Sequence, residues 1–539
     1  MTTSQAISNS PRSTGFWRPL RVPTFRNLLI ADVASDIGTF MQSVGAAWLM
    51  VSFGAGPMYI ALTQTASTLP FFVLALPAGS VGDIVDRRRL ILYTETWMVS
   101  VAAVLAFLTI AGRMSPWLLL ALTFALSAGD AFETPSWRAI LPELVGKEDL
   151  AAASALNGIE FNFARAVGPA LAGLLIATAG VGAAFLVNVA SFAGVIWVVW
   201  RWQQAPPARS TPPESVAGAT VAAIRYVRFS PAIRALMFRA GAVMFFASGL
   251  QALLPAVAHA VSRSAAAYGL LLGCFGGGAV LGAFVMPRAR ARWSTEIVAS
   301  SGIAALGLVT VATGMLHALL PLSVMMLAGG AAWIVFISLV SALVQSLAPD
   351  WVRARVLAVY MLIFQGGMAA GSAIWGATAA REGVQIALLW AGVGTILTAA
   401  LGLIARLPDT TADVSPWNHW RMPAVIADVA PALADGPVLV TVEYVVDRDR
   451  ADAFERAMLE YERVRRRDGA SSWGIFRDVE NPDRYLETFL VSSWAEHLRQ
   501  HGRLTRADRG LEERLRACTR DAPTVRHLVY ASPASEDEE

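Results

Sequence analysis

The stretch Gly79-Ser80-Val81-Gly82-Asp83-Ile84-Val85-Asp86-Arg87-Arg88, continued by Arg89, separates two apolar runs at residues 58–81 and 90–111. Each run is about the 20 residues that a helix needs to cross bilayer hydrocarbon. The charges between them mark a turn in water. The same alternation continues outward in both directions. Runs at 25–51, 117–137, 150–178 and 182–200 complete a first set of six. Runs at 235–258, 266–286, 297–316, 322–347, 356–380 and 384–405 form a second. The breaks carry Gly, Pro or charge, as in Gly54-Ala55-Gly56-Pro57 and Arg381-Glu382-Gly383. Twelve membrane helices are expected.

Composition agrees. Of 539 residues 55% are hydrophobic and only 15% are charged, too few charges for a soluble chain of this size. Half of the charged residues follow Val414, so a soluble segment is expected after the membrane part. The net charge of +3 does not call for nucleic acid. The two cysteines, Cys274 in an apolar run and Cys518 in the charged tail, belong to different compartments, so neither a disulfide nor a metal cluster is expected. The N-terminal stretch to Arg26 lacks the pattern of a secretory signal peptide.

Arginine sets the orientation. One set of loops holds Arg12, Arg18, Arg21 and Arg26, then Arg87 to Arg89, Arg138 with Lys147, Arg201 to Arg234, Arg288 to Arg292, and Arg353 with Arg355. The opposite set holds Arg113, Arg263 and Arg381. Both termini are therefore expected in the cytoplasm of a multi-pass inner-membrane protein. The chain also repeats. A shift of 203 brings Gly168 onto Gly371, Gly173 onto Gly376 and Gly180-Val181 onto Gly383-Val384. Two related six-helix halves are the plan of a rocking transporter. Organisation is expected as a cytoplasmic segment 1–24, a six-helix bundle 25–203, a linker 204–234 and a second bundle 235–407. A linker 408–436 and a cytoplasmic domain 437–539 follow. Val221, Ile224 and Val227 give the first linker an amphipathic helix that would lie on the membrane surface.

The opening stretch resembles the cytoplasmic signature of the major facilitator superfamily, Gly-x-x-x-Asp-Arg-x-Gly-Arg-Arg. It keeps Gly79, Asp83, Arg87 and Arg88, and differs at Ile84, where a basic residue is usual, and at Asp86, where Gly is usual. Further stretches resemble the enterobactin-exporter-like, or transmembrane secretion effector, branch. They are Phe25-Arg26-Asn27-Leu28, Ala47-Trp48-Leu49, Pro135-Ser136-Trp137-Arg138-Ala139-Ile140-Leu141-Pro142-Glu143, Asn162-x-x-Arg165-x-x-Gly168-Pro169-Ala170, Phe364-Gln365-Gly366-Gly367 and Trp494-x-Glu496-His497-Leu498-Arg499-Gln500-His501. The resemblance implies an all-α membrane protein of the twelve-helix major facilitator fold. It also implies secondary export of siderophores, macrolides or other amphiphiles, driven by protons moving inward, with no cofactor and no enzymatic reaction.

Ionisable groups inside membrane helices are costly and mark pathways unless a partner neutralises them. Asp32 and Asp36 lie four apart on the first helix and share a face. Their mutual repulsion favours proton uptake. Asp36 is expected to couple to protons with Asp32 modulating it, or both are solvated cavity residues. Arg165 needs an acidic partner, and Asp36 on the first helix is expected to supply it. The pair either opens to release Arg165 for an anionic substrate or is a fixed structural bridge. Asn162, Gln42, Glu160, Phe364 and Gln365 are expected around the same cavity. Asp130, Glu133 and Arg138 are expected to gate its cytoplasmic end together with Gly79, Asp83, Arg87 and Arg88.

From Pro437 the pattern reads strand 438–446, helix 450–467, strands 473–478 and 484–492, helix 495–501 and strand 524–531. This is the order of a ferredoxin-like α+β domain, similar to small dimeric α/β barrels, so a homodimer is a possible assembly. His497 and His501 lie at i, i+4 without an acid-helped motif, so packing is expected of them and no metal. The expected partners are thus the bilayer, a small-molecule substrate and protons. The alternative is a membrane-tethered sensor whose tail binds a ligand or partner.

Overall fold

The computed structural model of the protein describes residues 15–146, 148–202, 216–404, 406–408, 413–417 and 431–531. The side chains of residues 75, 76, 79, 80, 82–84, 138, 139, 216, 217 and 219 also lie outside the described set. The first apolar runs fold as α1 (Pro23–Ser52), α2 (Pro57–Ile84), α3 (Arg87–Ile110), α4 (Pro116–Leu144), α5 (Leu150–Ala179) and α6 (Val181–Arg201). A shorter α7 (Val216–Phe229) leads to α8 (Pro231–Ser262), α9 (Ala265–Arg292), α10 (Thr295–Met315), α11 (Leu319–Leu347) and α12 (Asp350–Glu382). Then come α13 (Val384–Ala399) and its continuation α14 (Leu401–Ile404).

Local chemistry sets the ends of these helices. Proline opens the first turn of α1, α2, α4 and α8, where its missing N–H costs nothing. The side chains of Asp86, Ser115, Ser264 and Ser294 accept backbone N–H bonds at the starts of α3, α4, α9 and α10. Gly180 (φ 81°) ends α5 and Gly383 (φ 98°) ends α12, both in a backbone region that favours glycine. They form one of the glycine pairs that the 203-residue shift superposes.

Among the described residues, nine helical segments are long and apolar enough to cross a membrane: α3, α5, α6, α8 to α12, and α13 with α14. The other three long helices are polar in their middles. α1 carries Asp32 and Asp36, α4 carries Asp130 and Glu133, and α2 carries Thr63-Gln64-Thr65-Ala66-Ser67-Thr68.

The two halves meet where α5 packs on α9 and α2 on α12. A Cβ on Gly269 would come within 2.6 Å of the Pro169 carbonyl, and one on Gly276 within 2.6 Å of the Ala166 Cα. Such close backbone approach is the use of small residues in membrane helices. Across the other seam the Thr65 and Ser372 hydroxyls are 2.8 Å apart, and a Cβ on Gly376 would meet Ala61. Trp48 of α1 stacks on Tyr268 of α9 at 6.5 Å. All these contacts lie in the part of the bundle remote from the α2–α3 turn.

The tail is a four-stranded antiparallel sheet of β1 (Val438–Val445), β2 (Ser472–Arg477), β3 (Arg484–Val491) and β4 (Thr524–Val529), in the spatial order β2-β3-β1-β4. Helices α15 (Ala451–Asp468), α16 (Trp494–His501) and α17 (Arg509–Ala517) complete it. The alternation in β1 sends Val438, Val440, Val442 and Tyr444 inward against Phe454, Met458 and Tyr461 of α15. Burying each large side chain is worth roughly 1.5–3 kcal/mol. On the opposite face Phe476 (58% exposed), Leu486 (40%) and Leu528 (50%) remain open.

The tail rests on α7 and the start of α12. Arg225 of α7 bonds Glu496 at 2.8 Å, the Arg467 guanidinium lies over the Tyr226 ring at 5.6 Å, and Arg503 covers Trp351 at 4.4 Å. Helix α7 thus uses Ala222, Ala223 and Tyr226 for packing, while Val221 and Ile224 of the expected apolar stripe stay exposed.

Candidate functional site

Helices α1, α3, α4 and α5 bring six acidic residues of the first half together. Asp36 of α1 and Glu160 of α5 are in side-chain hydrogen-bond contact, as are Glu95 of α3 and Glu133 of α4. Asp32 and Asp130 lie close enough to act electrostatically on both pairs. Among the described residues, neutral donors reach three of them. Trp137 Nε1 donates to Asp32 Oδ2 at 3.1 Å, Thr94 Oγ1 to Glu133 Oε2 at 3.2 Å and Thr134 Oγ1 to Asp130 Oδ1 at 3.3 Å. Two carboxyl groups in contact can hold one proton between their oxygens. Asp32 also lines a shallow cleft with Phe25, Leu28, Leu29, Trp137, Ile140, Leu141, Leu144 and Asn157.

Arg165 projects from α5 toward the second half. Its guanidinium lies 6.0 Å from the Phe275 ring centre and 5.7 Å from that of Trp333. Trp333 in turn meets Phe364 at 6.2 Å, and Phe364 meets Tyr360 at 6.1 Å. Gln365 follows on α12, half-buried. The expected bridge from Arg165 to Asp36 is not formed among the described residues. The aromatic faces of α9 and α11 take the cation instead, by the attraction of a guanidinium to ring π-systems.

Gln42, expected at the cavity, packs between α1 and α6. Gln42 is 3% exposed and accepts a hydrogen bond from the fully buried Asn188 of α6. Gly38, one turn before it, lets α1 and α6 approach so closely that a Cβ there would meet Ser191 and Asn188. Asn162 bonds the Gly158 carbonyl of its own helix at 2.7 Å. Glu95 is only 2% exposed and belongs to the acid cluster.

At the Arg-rich end, Arg87 pairs with Glu143 of α4. Arg88 donates to the Val199 and Trp200 carbonyls at the end of α6, at 3.0 and 2.5 Å. The pairing of Asp130 and Glu133 with these arginines gives way, for Glu133, to the hydroxyl of Thr94. Asp86, where the signature has Gly, caps α3 through a 3.0 Å bond from the Arg89 N–H. The side chains at Gly79, Asp83 and Arg138 lie outside the described residues, as does Lys147.

Sequence reasoning missed Arg239 of α8. It is 1% exposed and bonds Glu296 at 2.8 Å and Ser300 at 2.7 Å. The Leu407 N–H also donates to Glu296, at 2.9 Å. An arginine inside an apolar run was the available signal. In the tail, His527 of β4 joins His497 and His501. Burial first, then the neighbouring His527 and His501, push the His497 imidazole down to about 3, so it is neutral.

Comparison with known proteins fits this geometry. The family described as transmembrane secretion effector matches residues 14–534. The staphyloferrin A transporter of Staphylococcus aureus is 28% identical over 143 residues, 26% of this chain and 36% of that protein. The multidrug efflux pump Tap of Mycolicibacterium fortuitum is 29% identical over 219 residues, 39% of this chain and 53% of that one. The enterobactin exporter EntS of Citrobacter koseri is 26% identical over 269 residues, 48% and 62% of the two chains. The chain thus spans from about a third to less than two thirds of the length of these relatives. Among solved structures, a bacterial homologue of the human lysosomal transporter Spinster, inward-facing and unoccupied, matches with TM-score 0.59 at 15% identity, over 73% of this chain and 98% of that one. The nucleoside transporter NupG matches with TM-score 0.56 at 13% identity, over 71% and 99%. The helical part therefore has the fold of these transporters. The chain is a multi-pass membrane protein that belongs to the transmembrane secretion effector family of the major facilitator superfamily, a family of transporters and not of enzymes.

Proposed function

We propose that this protein is a secondary active exporter that moves small amphiphilic molecules outward by alternating access, in exchange for protons. The observation that carries the reading is the asymmetry of the bundle. In the middle of the first half Asp32 and Glu133 accept bonds from the neutral donors Trp137 and Thr94, and Arg165 reaches from that half to an aromatic wall in the second. Asp36 is the coupling carboxyl, with Asp32 and Glu160 adjusting it. The relatives are named for a siderophore, staphyloferrin A, for enterobactin and for multidrug efflux. The proposed cargo is of that kind: siderophores, macrolides or other amphiphilic drugs.

The arrangement is the twelve-helix major facilitator plan, with six-helix bundles at 25–203 and 235–407, in the inner membrane with both termini cytoplasmic. The arginine asymmetry of the loops supports that orientation. On it, the close contacts between the halves fall at their outer ends and the cleft at Asp32 faces inward, an inward-open state. The tail is a cytoplasmic ferredoxin-like domain, and its open face with Phe476, Leu486 and Leu528 is a surface for a homodimer. A reading as membrane-tethered sensor draws on the docking of the tail through Arg225 and Glu496.

The test is efflux from proteoliposomes under an imposed pH gradient. Asp36→Asn should abolish proton-driven efflux and retain counterflow of substrate. Undiminished proton-driven efflux refutes the coupling role. A chain ended at Leu407 that still transports makes the tail accessory, and one with no transport at all in either form favours the sensor.

A further inference from the structure

Three histidines that the transport reading leaves unused converge in the tail. His497 and His501 stand one turn apart on α16, whose first turn is fixed by the Ser493 side chain accepting the Glu496 N–H at 3.2 Å. His527 lies 26 residues on, in β4, where it pairs across the sheet with Val440. One nitrogen from each ring lies within 4.8 Å of the other two. The Nε2 atoms of His497 and His501 are 3.4 Å apart. The ring centres of His497 and His527 are 4.7 Å apart, and Trp494 packs against both rings. His497 is 2% exposed, and its Nδ1 has no hydrogen-bond partner among the described residues.

We propose that His497, His501 and His527 form a binding site for a late first-row divalent metal such as Zn²⁺. The spacing supports this. A tetrahedral ion holds imidazole nitrogens at about 2.0–2.1 Å, which puts two of them roughly 3.4 Å apart across the tetrahedral angle. The His497–His501 pair already has that separation. The third ring closes the set by a side-chain rotation, since β4 and α16 are already in place. Packing alone explains the arrangement poorly. The N–H···N bond between His497 and His501 and the Gln500 side chain at His497 do not account for the His527 imidazole set ring against ring with His497.

The donor set also selects the metal. Imidazole nitrogens suit Zn²⁺, Cu²⁺ and Ni²⁺ and not Mg²⁺ or Ca²⁺, which need oxygens. Three protein ligands leave a fourth position for water or a small anion. Glu496, adjacent to His497 on α16, holds Arg225 of the linker and Arg503, so an ion here would stiffen the helix that docks the tail on the bundle.

The test uses the full chain purified in detergent through an affinity tag without histidine. Zn²⁺ titrated against a chromogenic chelator should bind at about one equivalent per chain. His501→Ala, at the half-exposed end of α16, and His527→Ala should each weaken binding by at least the roughly 10- to 100-fold that outer-shell partners cost. Substituted Co²⁺ should give the intense visible absorption of a tetrahedral site, lost in both variants. If His527→Ala unfolds the tail by circular dichroism, His501→Ala and the Co²⁺ spectrum still decide. No bound Zn²⁺ in the parent chain, or unchanged binding in the variants, overturns the site and leaves a hydrogen-bonded packing cluster.

Discussion

Buried charge is handled in opposite ways by the tail and by the first half of the bundle. In the tail the deep carboxylates Asp468, Glu487, Glu496 and Asp508 each have an arginine against them. Arg465 grips Glu487 through bonds of 2.8 and 3.0 Å, Arg467 joins Asp468 and Asp508, and Arg503 holds Glu496. In the first half, carboxyl groups face one another and the bonds described to them come from Trp137, Thr94 and Thr134. The second half sides with the tail, since Arg239 is matched by Glu296. Ion pairs of matched geometry build structure, because removing either partner strands a charge in low dielectric. On the proposed exchange of substrate for protons, the clustered acids are the groups that take up and release them. On the proposed function, the contrast separates what holds this protein together from what couples it to protons.

That contrast can be broken by experiment. Asp36→Asn should eliminate proton-driven efflux while leaving the thermal stability of the purified protein unchanged. A large stability loss would place Asp36 with the structural charges. Glu487→Gln should do the reverse. It should destabilise the tail by about 3–5 kcal/mol, read by denaturant unfolding of the full chain, with transport by the bundle retained. Replacing both partners, Arg465→Met with Glu487→Leu, should recover most of that loss. Recovery no better than the single variant would show that the pair acts as more than mutual neutralisation.

Arg239→Met should cost less, about 1–3 kcal/mol, because Glu296 keeps Ser300 and the Leu407 N–H and is partly exposed. Efflux should survive it; loss of proton coupling would extend the acid chemistry into the second half. The smallest effect is on pH. Burial alone would raise Asp508, but the charge and bonds of Arg467 and the bonds from Thr505 prevail and hold it below the usual carboxylate range. Its unfolded form takes up a proton near pH 3.9. The stability it contributes is therefore complete above that value and lost as pH falls through the lower folded one. Acid unfolding of the tail should show this dependence, and Asp508→Asn should remove it.

The long helices were legible because apolar runs, proline starts and glycine stops are local signals. Gly180 and Gly383 announced both their helix ends and their kinship. The acid cluster was only half legible. Asp32 and Asp36 share one helix, but Glu160, Glu95 and Glu133 reach them only through packing of three further helices. Gln42 reads as a cavity amide until Gly38 brings Asn188 against it. Arg165 reads as needing an acid until Phe275 and Trp333 arrive from the other half. In the tail α17 was missed, being short and charged, with Leu515 as its most buried apolar side chain. His527 was missed because a strand ladder, not sequence spacing, sets it beside His497.

The footing of the tail has a consequence for observing transport. Arg225, Tyr226 and Trp351, on which it stands, all belong to α7 and α12, on the side of the second bundle. If the bundles rock against each other, the tail is carried as a passenger on one of them, swinging past the other through a long arc. A dye on its fully open Val479 and another near Trp17 would turn that swing into a change in energy transfer, a visible pointer for each turnover.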